Sequence, residues 1–352
     1  MTPRERILAV LNGKTPDMTP FAPFSELIPR AFFERELRGR GMGYIVHSPA
    51  VLCSNDTPLT VTNIGNLRRV SYATPFGELI EEWETPKGAS EDEEVQTRFM
   101  IQDAADYRRA VSYIDAMRFE ANESGAEVAE FYLGDDGVTH IFTQEPPYMY
   151  AQYFLGLENW SYHQPDFPDE FGTLLEALER AQEKRMDCAL RSRADIICLG
   201  NLAGNFSPEA YKKYMLPYFQ KYAPRFRRAG VKTSVHADAL NLSSFKDLIP
   251  LHGVDIVEAF TPPPVGDLSL KDARAAWGED VTIHINFPEA VFYGGYQATK
   301  DYARDLILSD PCPNKIMGMT ELGFVGATGK TVRMFAEGVR AVFDAVEEYG
   351  GY

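Results

Sequence analysis

The sequence predicts an α/β chain folded as a (β/α)8 TIM barrel, with an N-terminal helix and a β-hairpin added before the regular part begins. Three observations carry this expectation. From Thr139 onward short apolar runs alternate with helical stretches, about seven times if an early run at Thr19 is counted apart as an eighth, and such alternation indicates a parallel sheet. At 352 residues the chain has the length of one large barrel with additions. Neither G-x-G-x-x-G nor G-x-x-x-x-G-K-[ST] follows any strand, which removes the usual nucleotide-binding sheets. A single domain over 1–352 is expected, with the hairpin of roughly 60–90 at the barrel edge.

Each element has a local reason. Thr2-Pro3 opens a helix over 4–11 that Gly13 stops. Residues 19–24 form a short apolar strand, and Glu26 falls where such a strand would open into its loop. Around Thr74-Pro75-Phe76-Gly77, residues 66–84 alternate as an antiparallel hairpin. Residues 102–117 and 124–133 read as helices. Strand 139–143 then leads to Pro146-Pro147, which opens an aromatic helical stretch through Phe154, and 169–191 is a long helix. Strand 194–199 runs into Asn201 and Asn205, and Ser207-Pro208-Glu209 caps a helix to about Ala229. The remaining pairs are strand 232–236 with helix 242–249, strand 255–260 with a helix from Ser269, strand 281–286 with helix 300–308, and strand 315–320 with helix 331–348.

Composition narrows the function. Lys and Arg number 35 against 51 Asp and Glu, a net charge of −16, which argues against nucleic acid and against an anionic membrane surface. The four cysteines are scattered with no C-x-x-C, which suggests reduced thiols. No run approaches a membrane span, and Met1-Thr2-Pro3-Arg4-Glu5-Arg6 leads into a helix instead of a signal sequence. A soluble cytoplasmic enzyme is the expectation, and a homodimer is compatible with it.

In a barrel the residues just past each strand converge on one cavity. Here they are Glu26; Gln144 and Glu145; Asn201 and Asn205; His236 and Asp238; Glu258; Asn286 and Glu289; Thr320 and Glu321. Residues two apart on a strand share a face, so His236 and Asp238 can aim at one point. With Glu321 they make an N/O/O set suited to Zn²⁺ with an open position. The alternative is a hydrogen-bonded histidine at the barrel mouth and an aspartate capping the next helix. Glu258 is an acid in an apolar strand, so it must be paired, protonated or on a metal. Asn286 either orients a ligand or caps a helix. His284 reads as a satisfied core histidine, and His47, His140, His163 and His252 read as structural. Tyr148, Met149, Tyr150 and Phe206 either line an aromatic substrate pocket or belong to an ordinary core.

Several motifs resemble uroporphyrinogen decarboxylase-like proteins: Met1-Thr2-Pro3-Arg4-Glu5-Arg6 with Asn12-Gly13 and Pro16-Asp17, and Phe154-Leu155-Gly156-Leu157-Glu158-Asn159. Ser207-Pro208-Glu209 with Leu216-Pro217-Tyr218, and Glu258-Ala259-Phe260-Thr261-Pro262-Pro263-Pro264, extend the likeness over nearly the whole chain. The resemblance implies a (β/α)8 barrel, and the superfamily includes the decarboxylase and zinc-using, cobalamin-dependent methyltransferases. Where the decarboxylase has an arginine-rich segment, this chain has Pro20-Phe21-Ala22-Pro23-Phe24-Ser25-Glu26, which would repel a polyanionic substrate. Where thiol-methylating members carry two cysteines, it has Asp238 and Glu321, which keep zinc a harder Lewis acid for oxygen.

The chain therefore looks most similar to methyltransferase I of anaerobic aryl methyl ether O-demethylase systems. That likeness implies zinc on His236, Asp238 and Glu321, and a methyl acceptor in the cobalamin of a partner corrinoid protein. Glu26, Tyr148 and Asn201 would position the ring of the methoxylated aromatic, and Glu258 would serve as a fourth ligand or support the others. A decarboxylase-like lyase, or a methyltransferase using a thiol or amine donor, is the alternative.

Overall fold

The alternation read from the sequence forms a parallel sheet of seven strands. Its spatial order is Tyr44–His47, Gly137–Phe142, Ile196–Asn201, Lys232–His236, Ile256–Phe260, Thr282–Phe287 and Lys315–Met319. Residues 20–24 fill the gap between the first and last of these. Phe21 bridges Met317 and Phe24 bridges Ile45, both in parallel. The Ala22 amide donates to Met317 O, and the Ile45 amide donates to Pro23 O. The short early run at Thr19 is thus the eighth stave, and the sheet closes as a TIM-barrel-like α/β fold. It bonds through isolated bridges because Pro20 and Pro23 have no amide hydrogen to give. The computed structural model describes residues 1–28, 30–88, 94–202, 206–238, 240–319 and 328–352.

The helix Pro3–Leu11 carries a capping box, in which Thr2 and Glu5 satisfy each other's backbone amides. Its Ile7, Val10 and Leu11 join a buried cluster with Ala22, Phe24, Ile45, Val138, Ile196, Ile256 and Ile316. Val138, Ile196, Ile256 and Ile316 sit at or one residue from the starts of their strands, so this helix plugs the amino-terminal end of the barrel. The strands are apolar in succession because a parallel sheet is buried on both faces.

By the density of its internal packing the chain divides into two units. The barrel belongs to one, made of Met1–Ala50, Asn122–Gln144 and Ser192–Tyr352; the other comprises Val51–Ala121 and Glu145–Arg191. This second unit has an antiparallel four-stranded sheet, ordered Leu59–Ile64, Leu67–Thr74, Gly77–Glu84 and Val95–Arg98. The hairpin expected over 66–84 is its centre. A two-stranded ladder of Val51–Asn55 with Met117–Ala121 and the helices Ala104–Asp115 and Pro168–Arg191 belong to the same unit.

Three differences from the sequence reading have physical causes. The strand Tyr44–His47 was not expected, because four residues are too few to show a period. The helix expected to 229 is two, Pro208–Tyr214 and Leu216–Arg228, since Pro217 cannot continue the hydrogen-bond ladder. The helix expected over 242–249 is replaced by 3-10 turns at Leu242–Ser244 and Ile249–His252. There the Ser243 amide donates to Asp267, and Pro250 has no amide to give. No helix among the described residues is long and apolar enough to cross a membrane.

His252 has a consequence for stability. It is buried, stacks on Phe219 at 4.4 Å between ring centroids, and lies 3.0 Å from the Tyr211 hydroxyl. Burial pulls its imidazole down to about 3. Below the ordinary histidine value of about 6.5 the unfolded chain takes up a proton that the folded chain refuses, so stability falls as pH falls. The slope approaches about 1.4 kcal/mol per pH unit from this group alone below about pH 6 and fades out as the pH rises past the unfolded histidine's value of about 6.5. Urea unfolding at pH 7 and pH 5 is expected to show a smaller loss for His252→Gln than for the wild type. An equal loss would count against the neutral, buried imidazole.

Candidate functional site

Strand register brings the chemistry-bearing side chains to one level. On adjacent parallel strands His47 pairs with His140, and His236 pairs with both Asn201 and Glu258. Register breaks beside two of these positions, between Ser234 and His236 and between Val257 and Phe260. Within the second break Ala259 takes a φ of +55°, a left-handed backbone that costs a residue bearing a Cβ roughly 1–2 kcal/mol. Irregularities of this kind re-aim the neighbouring side chain, here Glu258.

Glu258 is buried between two imidazoles. His140 Nε2 lies 3.0 Å from its Oε2, and His236 Nδ1 lies 3.1 Å from its Oε1. Burial would raise the Glu258 carboxyl, but His140 and then His236 outweigh that and hold it well below the usual range. An ionised carboxylate can only accept, so both ring nitrogens donate. That places a proton on His236 Nδ1 and turns Nε2 toward Asp238, whose Oδ2 is 3.7 Å away. Burial pulls the His236 imidazole down, yet Asp238 and Glu258 prevail and lift it to about 10. His236 in return holds the Asp238 carboxyl low.

Phe24 is the shared aromatic neighbour of four histidines. Its ring lies 5.4 Å from His47, 5.5 Å from His140, 6.3 Å from His236 and 5.1 Å from His284. His284 is a buried core histidine with Nε2 at 3.1 Å from the Ala22 carbonyl, but it is only half satisfied, since its Nδ1 is buried without a hydrogen-bond partner among the described residues; burial takes it down to about 4. Gly318 is required here because a Cβ would come within 2.4 Å of that same Nε2. Nearer solvent, His47 Nδ1 lies 2.6 Å from Glu26 Oε1, and both side chains are half-exposed. Burial would raise the Glu26 carboxyl, but the hydrogen bond from His47, a backbone hydrogen bond, the His47 charge and Ser25 together outweigh it and lower it.

Two donor sets in this cluster could take a metal ion. The first is His236 with Asp238, the pair expected from the sequence. Ligand atoms on a tetrahedral zinc stand about 3.4 Å apart for bonds of about 2.0–2.1 Å, and the observed 3.7 Å is close to that. The Glu258 bond to Nδ1 is the outer carboxylate that metal-binding histidines commonly have, so the residues present fit zinc. The third expected ligand, Glu321, lies outside the described residues, as do Thr320 and Asn205. The second set is His140, Cys198 and Glu258, whose ligand atoms all lie within 4.8 Å of one another and are buried. Burial first, and then Glu258, push the Cys198 thiol well up, so an ion there would have to displace its proton, just as an ion at His236, lifted to about 10, would have to displace the proton on Nε2.

Other expected residues are distributed as follows. Asn201 ends its strand beside His236, and Asn286 Nδ2 donates to Thr261 Oγ1 at 3.2 Å. Phe206 is buried in the barrel unit. Tyr148, Met149 and Tyr150 belong to the second unit. There the Tyr148 hydroxyl donates to Gln164 at 3.0 Å, and its ring packs on Trp160 and Phe171. His47 and His140, for which the sequence shows no partner pattern, have partners in Glu26 and Glu258 and stand in the cluster. Cys198, which the sequence reading took only as a reduced thiol, stands there too.

Comparison with known proteins supports the fold. No protein-family model matches the sequence, and no curated protein does. Among solved structures the chain is similar to a methyltransferase from Methanosarcina mazei, with a TM-score of 0.58 at 15% identity over 99% of both chains. A fainter likeness is to a B12-independent methionine synthase from Shewanella sp. W3-18-1 in complex with selenomethionine, with a TM-score of 0.43 at 8% identity over 94% of this chain and 98% of that one. That second likeness carries no weight here. The first shows a shared fold over the full length, in line with the resemblance drawn from the motifs.

Proposed function

We propose that this chain is a methyltransferase that moves a methyl group from the oxygen of a methoxylated aromatic to the reduced, Co(I) corrinoid of a partner protein. Zinc would be its resident ion, held by His236, Asp238 and Glu321. The observation that carries the reading is the His236 side chain, fixed by Glu258 at one nitrogen and presented to Asp238 by the other. Bound there, zinc would supply a Lewis acid that draws electrons from the O–CH₃ bond of a poor electrophile.

The chain's own residues do the rest. Glu258 holds the His236 ring and its tautomer, and the charge on Asp238 favours a cation at the Nε2 side. Asn201 stands next to His236 in register and is proposed to hydrogen-bond the substrate, with Phe206 and Asn286 contributing to the ring's pocket. The half-exposed Glu26 holds His47, whose ring stacks on Phe24, and is proposed to meet an incoming aromatic there.

The test is a spectroscopic screen of methyl donors with reduced cobalamin, following conversion of Co(I) to methyl-Co(III). Aryl methyl ethers are expected to give conversion, and thiols and amines to give none. Conversion with thiols alone, or release of CO₂ from a carboxylated substrate by metal-free protein, would overturn the reading.

A further inference from the structure

The cluster holds a second acid–base unit that metal binding does not use. His47 Nδ1 is 2.6 Å from Glu26 Oε1, and no hydrogen bond from its Nε2 to any described residue is present. The ring stacks on Phe24 at 5.4 Å between centroids, and Phe24 also lies 6.3 Å from the His236 ring. His47 therefore shares one aromatic neighbour with the proposed zinc-binding histidine, while its side chain remains half-exposed. A carboxylate on Nδ1 and an unengaged Nε2 is the arrangement of a histidine poised to deliver a proton. An aryl ether needs such a group, because its oxygen leaves with the bonding electron pair and gains negative charge.

We propose that His47 is a catalytic residue, the general acid that protonates the departing oxygen, and that Glu26 is its positioning residue. This rests on the function proposed above. In the step, the O–CH₃ bond breaks and its electron pair stays on oxygen. The methyl carbon bonds to the electron pair of the acceptor, the Co(I) corrinoid, and the proton on His47 Nε2 passes to the oxygen. The imidazole is left neutral, keeping its remaining proton on Nδ1 and donating it as a hydrogen bond to Glu26, and the product is a phenol.

The test compares wild type, His47→Gln and Glu26→Gln on a series of aryl methyl ethers whose phenols range from weakly to strongly acidic. A general acid contributes about 10²–10⁴-fold where the leaving group is poor, and little where it is good. His47→Gln is expected to lose about 100-fold or more with unactivated ethers and to approach wild-type rates with nitro-substituted ones. Glu26→Gln should follow the same trend with a smaller loss. A purely structural role would lower every rate by the same factor, and that result, in a variant with the wild-type circular dichroism spectrum, overturns the proposal. Should His47→Gln fail to fold, Glu26→Gln decides by the same criterion. A wild type inert with every ether overturns the methyltransferase reading and this proposal together, whereas an active wild type with a uniform loss overturns this proposal alone.

Discussion

His236→Ala is expected to lower methyl transfer by about 1000-fold and to leave purified protein without stoichiometric zinc. The magnitude follows from what would be lost. A Lewis acid on the leaving oxygen stabilises the transition state by several kcal/mol, and each 1.36 kcal/mol is tenfold in rate. Alanine removes the nitrogen facing Asp238 and also the donor that occupies one oxygen of Glu258. Asp238 alone, a half-exposed carboxylate with no second ligand beside it among the described residues, would hold zinc weakly. Metal analysis and initial rates on the same preparation check both halves. Near-normal rates with zinc retained would remove His236 from the metal site.

Phe24→Ala should have the largest effect on stability. The ring is buried with four histidine rings 5.1–6.3 Å from it, and it belongs to the cluster that includes the plugging helix. Truncating a buried Phe to Ala costs about 3–5 kcal/mol. The cavity would also let the imidazoles of His47 and His236 drift, so methyl transfer should fall further than the unfolded fraction explains. Urea unfolding and rates at a temperature where the variant is folded separate the two. A destabilised variant with full activity would make Phe24 ordinary core. Phe24→Leu, which fills most of the space without a flat ring, is expected to lie between.

Much of this architecture was legible because parallel strands announce themselves locally. The stretch Lys232–His236 has the bounds expected from its apolar climb after Gly230, and the capped helices at Ser207 and Ser269 begin where their side chains bond the backbone. Glu258 was legible as a buried acid that needs a partner. Its partners were not, because His140 is 118 residues away in sequence and meets it only once the barrel closes. His47 was hidden for a similar reason: its strand is four residues long, and its significance comes from a cross-strand neighbour and from Glu26 on a separate turn. Spacing within a strand could pair His236 with Asp238, but it could not show which nitrogen of His236 faces which carboxylate. That is a matter of register and of the irregularity at Ala259.

The proposed chemistry depends on an ion held by His236 and Asp238, with Glu258 outside it as a hydrogen-bond acceptor. Zinc K-edge X-ray absorption of zinc-loaded protein tests this most directly, because the rival ligand set contains the sulfur of Cys198. The predicted spectrum is a shell of nitrogen and oxygen at about 2.0–2.1 Å with imidazole scattering and no sulfur. A zinc–sulfur distance of about 2.3 Å would put the ion on Cys198 with His140 and Glu258 and contradict the account.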